Sequence, residues 1–125
     1  GFIGSHVAEA FLREGFRVRA LVRYCSTGHR GHLDRSAPAL QAERDGQLEI
    51  VAGDVTDPYQ MLHLTEGCSI LVHLAALIGI PYSYVAPASY QAVNVGGALH
   101  LLEAARRHRP PHRSRAAGHS RSRRR

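Results

Sequence analysis

Two periods of apolar spacing alternate along this chain, and the switches between them mark its elements. Over residues 1–15, GFIGSHVAEAFLREG, Val7, Ala10 and Phe11 recur at helical spacing, and Gly15 stands where a helix commonly ends. FRVRALVR, residues 16–23, alternates Phe16, Val18, Ala20 and Val22 with Arg and Leu, which predicts a half-buried strand. Residues 24–36, YCSTGHRGHLDRS, read as a loop, with a weak helical patch after Pro38. LEIVAGDV, residues 48–55, is a second strand. The following DPYQMLHLTEGC predicts a short helix with Asp57 as N-cap and Pro58 in the first helical position.

SILVHLAA, residues 69–76, is almost continuously apolar, the pattern of a strand covered on both faces. A loop, LIGIPYSYVAP, leads to a long helix from about residue 88 to residue 108, with Ala92, Val95, Ala98, Leu99, Leu102 and Ala105 on one side. Helices and strands alternating in this order predict an α/β fold, a Rossmann-like doubly wound parallel sheet. From residue 107 on, RHRPPHRSRAAGHSRSRRR has no periodicity with which to bury a core and is expected to be disordered.

Composition changes this picture in few places. At 125 residues there is room for one domain. The net charge of +6 matters only once located: residues 1–106 hold eight Arg against ten acids, whereas residues 107–125 hold eight Arg and no acid. The excess sits in the tail, so a nucleic-acid-binding protein is the alternative of another class, disfavoured because no aromatic or fold motif accompanies the charge. No apolar run approaches the roughly 18 residues that cross a bilayer, and the first residues do not read as a signal peptide. Cys25 and Cys68 are too few for a disulfide framework and are expected to be inert thiols. A cytoplasmic protein without a membrane partner follows. The histidines are scattered without ligand spacing, and no metal site is expected.

Three places carry candidate chemistry. Gly1 and Gly4 before a helix supply two of the three glycines of a dinucleotide-binding turn, where the backbone approaches a pyrophosphate and the helix N-terminus faces the anion. Alone, such a pair also fits a plain loop-to-helix turn. Context favours the dinucleotide: GDV, residues 53–55, and HLAA, residues 73–76, fall at the C-terminal ends of the next strands, where open parallel sheets bind ligands. Asp54 can accept a hydrogen bond from an adenine amino group, and small Ala75 and Ala76 let the backbone lie against a cofactor.

GFIGSHVAEAFLREG, GDVTDP, HLAA and NVGGALHLLEAAR together resemble the ordered signatures of the extended short-chain dehydrogenase/reductases, the nucleotide-sugar epimerases and dehydratases. The resemblance covers residues 1 to about 106. A narrower likeness, in RYCSTGHRGHLD and HLAALIGIPYSYVAPASYQAVNVGG, is to the NAD-dependent UDP-N-acetylglucosamine-type 4,6-dehydratases, with a UDP-sugar 4-epimerase or another member as the alternative. The resemblance implies that Gly1, Phe2, Ile3 and Gly4 form the pyrophosphate turn. It also implies that Asp54 and Val55 contact adenine, that Leu74, Ala75 and Ala76 form the cofactor-facing strand end, and that Asn94 supports the active-site architecture. Tyr82, Ser83 and Tyr84 lie where the family approaches its nucleotide-sugar substrate. A homodimer is implied for the whole protein.

The chain also departs from the family. Arg23 stands where NAD-preferring members commonly carry an acid for the ribose hydroxyls, and an Arg there can accept the 2′-phosphate of NADP. The subfamily likeness favours NAD, with NADP as the alternative. The family's catalytic tyrosine is paired with a lysine four residues later, but all basic residues of this chain other than histidine are Arg, so no catalytic residue is assigned. The chain is expected to begin after the family's first strand, which in the order 3-2-1-4 lies between the second and fourth, and to lack everything after the fourth. Residues 1–106 are thus expected to be a partial NAD(P)-binding Rossmann domain, inactive as it stands, and residues 107–125 a frameshifted or misassembled end.

Overall fold

A computed structural model describes residues 1–108; the expectations for the arginine-rich tail from Arg109 on lie outside the described residues. Its order is α1 (Phe2–Arg13), β1 (Val18–Arg23), a 3₁₀ turn (Gly31–Arg35), α2 (Ala37–Arg44), β2 (Leu48–Gly53) and α3 (Pro58–Thr65). Then come α4 (Ile80–Val85), α5 (Pro87–Tyr90), a π-helical turn (Gln91–Gly96) and α6 (Gly97–His108).

β1 and β2 pair in parallel, Val18 opposite Leu48 through to Arg23 opposite Gly53. Strand alternation sends side chains to two layers. On one face Val18, Ala20, Val22 and Ile50 pack with Leu12 against buried Leu33, Ala39, Ala42 and Leu48. On the other, Leu21 meets a cluster of Val55, Met61 and Ala104 that joins α3 to α6. Met61 is 1% exposed, and burying such a side chain stabilises by about 1.5–3 kcal/mol.

Local capping explains where the helices start. The Asp57 side chain accepts from the Tyr59 and Gln60 N–H groups at 2.9 and 3.1 Å, and Pro58 gives up no hydrogen bond in the first turn. Ser36 caps α2 in the same way, accepting from Ala39 N–H at 3.1 Å. At its other end α3 is closed by Arg19, whose Nη1 donates to the Leu64 and Glu66 carbonyls at 2.8 and 3.0 Å while its Nε binds Glu49.

Five expectations change. The run 69–76 forms no strand; its Ile70, Val72 and Leu74 are each about half exposed. A strand exists only by hydrogen bonding to a neighbour, and among the described residues no strand lies beside this one. The stretch 24–36 closes with the 3₁₀ turn rather than staying a loop, because the Asp34 carboxylate accepts from the Arg30 N–H at 2.7 Å. The expected loop 77–87 contains α4, with Pro81 in its first turn. Along α1, Ala10 is exposed while Ser5 and Ala8 are buried.

The fifth change concerns the last helix. Its buried side is Gly97 and Ala104, with Val93 and Leu101 packed alongside, while Val95, Leu99 and Leu102 face outward. The π turn inserts a residue into the helical repeat and rotates the faces on either side of it. Gly97 then sets the contact: a Cβ there would stand 2.7 Å from Val55 Cγ1, so only glycine lets α6 come this close.

Candidate cofactor site

α1 opens with an uncapped turn. Gly1 is its N-cap without a side-chain hydrogen bond, and Phe2 and Ile3 are exposed. The first N–H groups of a helix have no intrahelical partner, so this turn offers donors at the positive end of the helix dipole. A Cβ at Gly1 would meet nothing within 4 Å, and at Gly4 only Leu74 Cδ1 at 4.0 Å. The glycine turn and the 74–76 segment, distant in sequence, are therefore neighbours.

Asp54 follows β2 directly. Its Oδ1 accepts from the Thr56 N–H at 2.9 Å and the Thr56 hydroxyl at 2.8 Å. Those two bonds, with Arg23 nearby, hold its carboxyl below the usual carboxylate range. Oδ2 has no partner among the described residues and remains an acceptor. Arg23 ends β1 opposite Gly53, so the two sequence candidates share one end of the sheet. Val55 points the other way: it is 6% exposed and its side chain belongs to the core, which leaves only its backbone for a ligand.

Leu74, Ala75 and Ala76 are exposed and lie in no helix or strand. Asn94, within the π turn, binds the next residue twice: its Oδ1 accepts from the Leu77 N–H at 2.8 Å and its Nδ2 donates to the Leu77 carbonyl at 2.9 Å. A side-chain amide thus does for this segment what a neighbouring strand would do. Tyr82, Ser83 and Tyr84 sit on α4; the tyrosines are exposed, while the Ser83 hydroxyl donates to the Ile80 carbonyl at 2.6 Å.

Three supporting residues have no role that the motifs around them assign. Gln60 accepts from the Asp54 N–H and donates to the Ala52 carbonyl, both at 2.9 Å, and so fixes the turn that presents Asp54. Tyr90 donates to the Gly79 carbonyl at 2.5 Å, one helical turn before Asn94. Gly97 is the third, through its contact with Val55. A depression of about 520 Å³ between Arg19, Glu49, Tyr59 and His63 lies beside α3 and holds none of the predicted site residues. Among the described residues no group of three or more His, Cys, Asp and Glu could hold a metal ion.

The family model for GDP-mannose 4,6 dehydratase matches residues 1–121. UDP-glucuronate 4-epimerase 2 of Arabidopsis thaliana is 37% identical over 105 residues, 82% of this chain and 24% of that protein. The ceramide reductase of Caulobacter vibrioides is 31% identical over 106 residues, 85% of this chain and 28% of its own. A dTDP-glucose 4,6-dehydratase from Streptomyces venezuelae, solved as a double mutant with NAD and DAU bound, matches with a TM-score of 0.65 at 27% identity, covering 84% of this chain and 33% of that one. Pen from Bacillus thuringiensis, at a TM-score of 0.70 and 17% identity over 86% and 32% of the two chains, is similar in fold alone. The chain spans about a quarter of the length of the curated relatives it matches.

Proposed function

This chain belongs to the GDP-mannose 4,6 dehydratase family within the extended short-chain dehydrogenase/reductases, and we propose that it forms the dinucleotide-holding part of a nucleotide-sugar 4,6-dehydratase or 4-epimerase. The observation that carries this reading is the closeness of Gly4 to Leu74, which brings the open N-terminus of α1 beside the exposed 74–76 segment. The residues fit a nicotinamide dinucleotide: donors at the first turn of α1 for the pyrophosphate, Asp54 Oδ2 for the adenine amino group, and Arg23 at the ribose. Asn94 holds Leu77, and through it the backbone of Ala75 and Ala76, in place. Tyr82, Ser83 and Tyr84 on α4 offer hydroxyls to a UDP-sugar. Bound there, the nicotinamide would supply a hydride acceptor for transient oxidation at the sugar C4.

Identity to the UDP-glucuronate 4-epimerases favours epimerisation, whereas the narrower sequence likeness favours a UDP-N-acetylglucosamine-type dehydratase. The whole protein is read as a cytoplasmic homodimer, supported by the free thiols Cys25 and Cys68 and by the exposed Val95, Leu99 and Leu102 of α6. Among the described residues no helix is long and apolar enough to cross a membrane. With no lysine in the chain, no Tyr–Lys pair forms within it, and these 125 residues turn over no UDP-sugar by themselves.

Titration of the chain with ADP-ribose, followed by nuclear magnetic resonance, tests the site. Saturable binding that Gly4→Val abolishes is expected; absence of binding sinks the reading. Product formed from a UDP-sugar by the chain alone would refute its inactivity.

A further inference from the structure

Helix α4 carries the three hydroxyl side chains assigned above to the sugar, yet no apolar contact anchors it. None of its six residues is buried, and its main neighbour is α5. Tyr82 and Tyr84 are 56% and 84% exposed. So short a helix without a covered face has little stability of its own, and its place depends on polar contacts at its ends. Its N-cap, Gly79, has no side chain with which to fix the first turn.

A single carbonyl fixes it instead. The Gly79 oxygen accepts from the Tyr82 and Ser83 N–H groups at 3.1 and 3.2 Å and from the Tyr90 hydroxyl at 2.5 Å. The two amides belong to α4, whereas the hydroxyl comes from the end of α5. The Tyr90 ring also lies near that of Tyr82, with centroids 6.3 Å apart. At position 79 a Cβ would stand 3.3 Å from the Tyr90 oxygen, so glycine leaves the hydroxyl its approach. Among the described residues no other side chain from outside α4 hydrogen-bonds to its first turn.

We propose that Tyr90 is a positioning residue for the nucleotide-sugar substrate: its hydroxyl, bound to the Gly79 carbonyl, sets the direction in which α4 presents Tyr82 and Ser83 to the sugar. The proposal rests on the reading of α4 as the substrate-facing element, and it assigns a role to a residue that acts only through Gly79. Tyr90 belongs to neither core cluster, so loss of its hydroxyl releases α4 and leaves the packing around Leu33 and Met61 in place.

Titrating the whole chain and its Tyr90→Phe variant with UDP-glucuronate and, separately, with ADP-ribose tests it. The variant should bind UDP-glucuronate about three- to tenfold more weakly, the scale of one hydrogen bond, with its affinity for ADP-ribose unchanged. Hydrogen exchange of the Tyr82 and Ser83 amides should accelerate while that of Met61 does not. Gly79→Ala crowds the same contact and should act in the same direction. An unchanged affinity for UDP-glucuronate overturns the proposal, and so does an equal loss for both ligands, which would make the bond a general support of the fold. If the unaltered chain does not bind UDP-glucuronate, the substrate reading of α4 falls and this proposal with it, and ADP-ribose binding then decides the dinucleotide reading separately.

Discussion

The Asn94 carboxamide satisfies both backbone groups of Leu77, with its oxygen on the N–H at 2.8 Å and its nitrogen on the carbonyl at 2.9 Å. Seventeen residues separate the partners, and the pair ties the irregular 69–79 stretch to the π turn. Asparagine is suited to this because one planar amide carries an acceptor and a donor side by side.

Asn94→Ala removes both bonds and should cost about 1–2 kcal/mol in urea unfolding, since each hydrogen bond contributes about 0.5–1.5 kcal/mol net. Hydrogen exchange of the Leu77 amide should accelerate in parallel. Asn94→Asp keeps the acceptor and loses the donor, so it should protect that amide while still lowering the urea midpoint.

Gly97→Ala places a methyl group against both Val55 methyls, at 2.7 and 2.9 Å in the unrelaxed backbone. Such overpacking should destabilise by about 1–3 kcal/mol. Val55→Ala opens the space, so the double variant should be more stable than the sum of the single losses predicts. Additive losses would mean that α6 moves away and the contact is not shared.

Stability in acid should depend on Asp54. Its two bonds from Thr56, and then Arg23, hold its carboxyl low. A carboxyl depressed on folding stabilises fully above its unfolded value of about 3.9 and loses that contribution as pH falls through the lower folded value. The gap in urea midpoint between the chain and Asp54→Asn should therefore be widest near neutrality and shrink below about pH 4. A gap that widens on acidification contradicts the assignment.

Helix α3 depends on its cap. Asp57→Ala strips the acceptor from the Tyr59 and Gln60 N–H groups and should cost about 1 kcal/mol. Because Gln60 also holds the Asp54 turn, the variant should weaken ADP-ribose binding as well. Asp57→Asn should restore most of both.

Much of the local structure was legible along the chain. The Asp57–Pro58 start of α3 and the alternation of Val18, Ala20 and Val22 depend on neighbours within a few residues, and each stands where the pattern puts it, whereas of the glycine pair expected before the first helix Gly4 lies inside α1. The candidate site was legible as positions at strand ends. Its supports were not: Gln60 and Tyr90 act on carbonyls eight and eleven residues away, and no motif marks either as more than a polar side chain.

What the sequence determined by itself was therefore the α/β class, the families of motif and those elements whose signals are local, because capping, backbone preference and apolar period are short-range. The tertiary structure alone decided which apolar faces are covered. The run 69–76 has the composition of a central strand, yet strand formation requires a partner's hydrogen bonds, and the described residues bring it Asn94 instead. Val55, grouped with Asp54 by sequence, went into the core because Gly97 leaves room for it. The side of α6 that faces α3 was chosen by that same contact and by the phase shift of the π turn, neither of which a hydrophobic period can express.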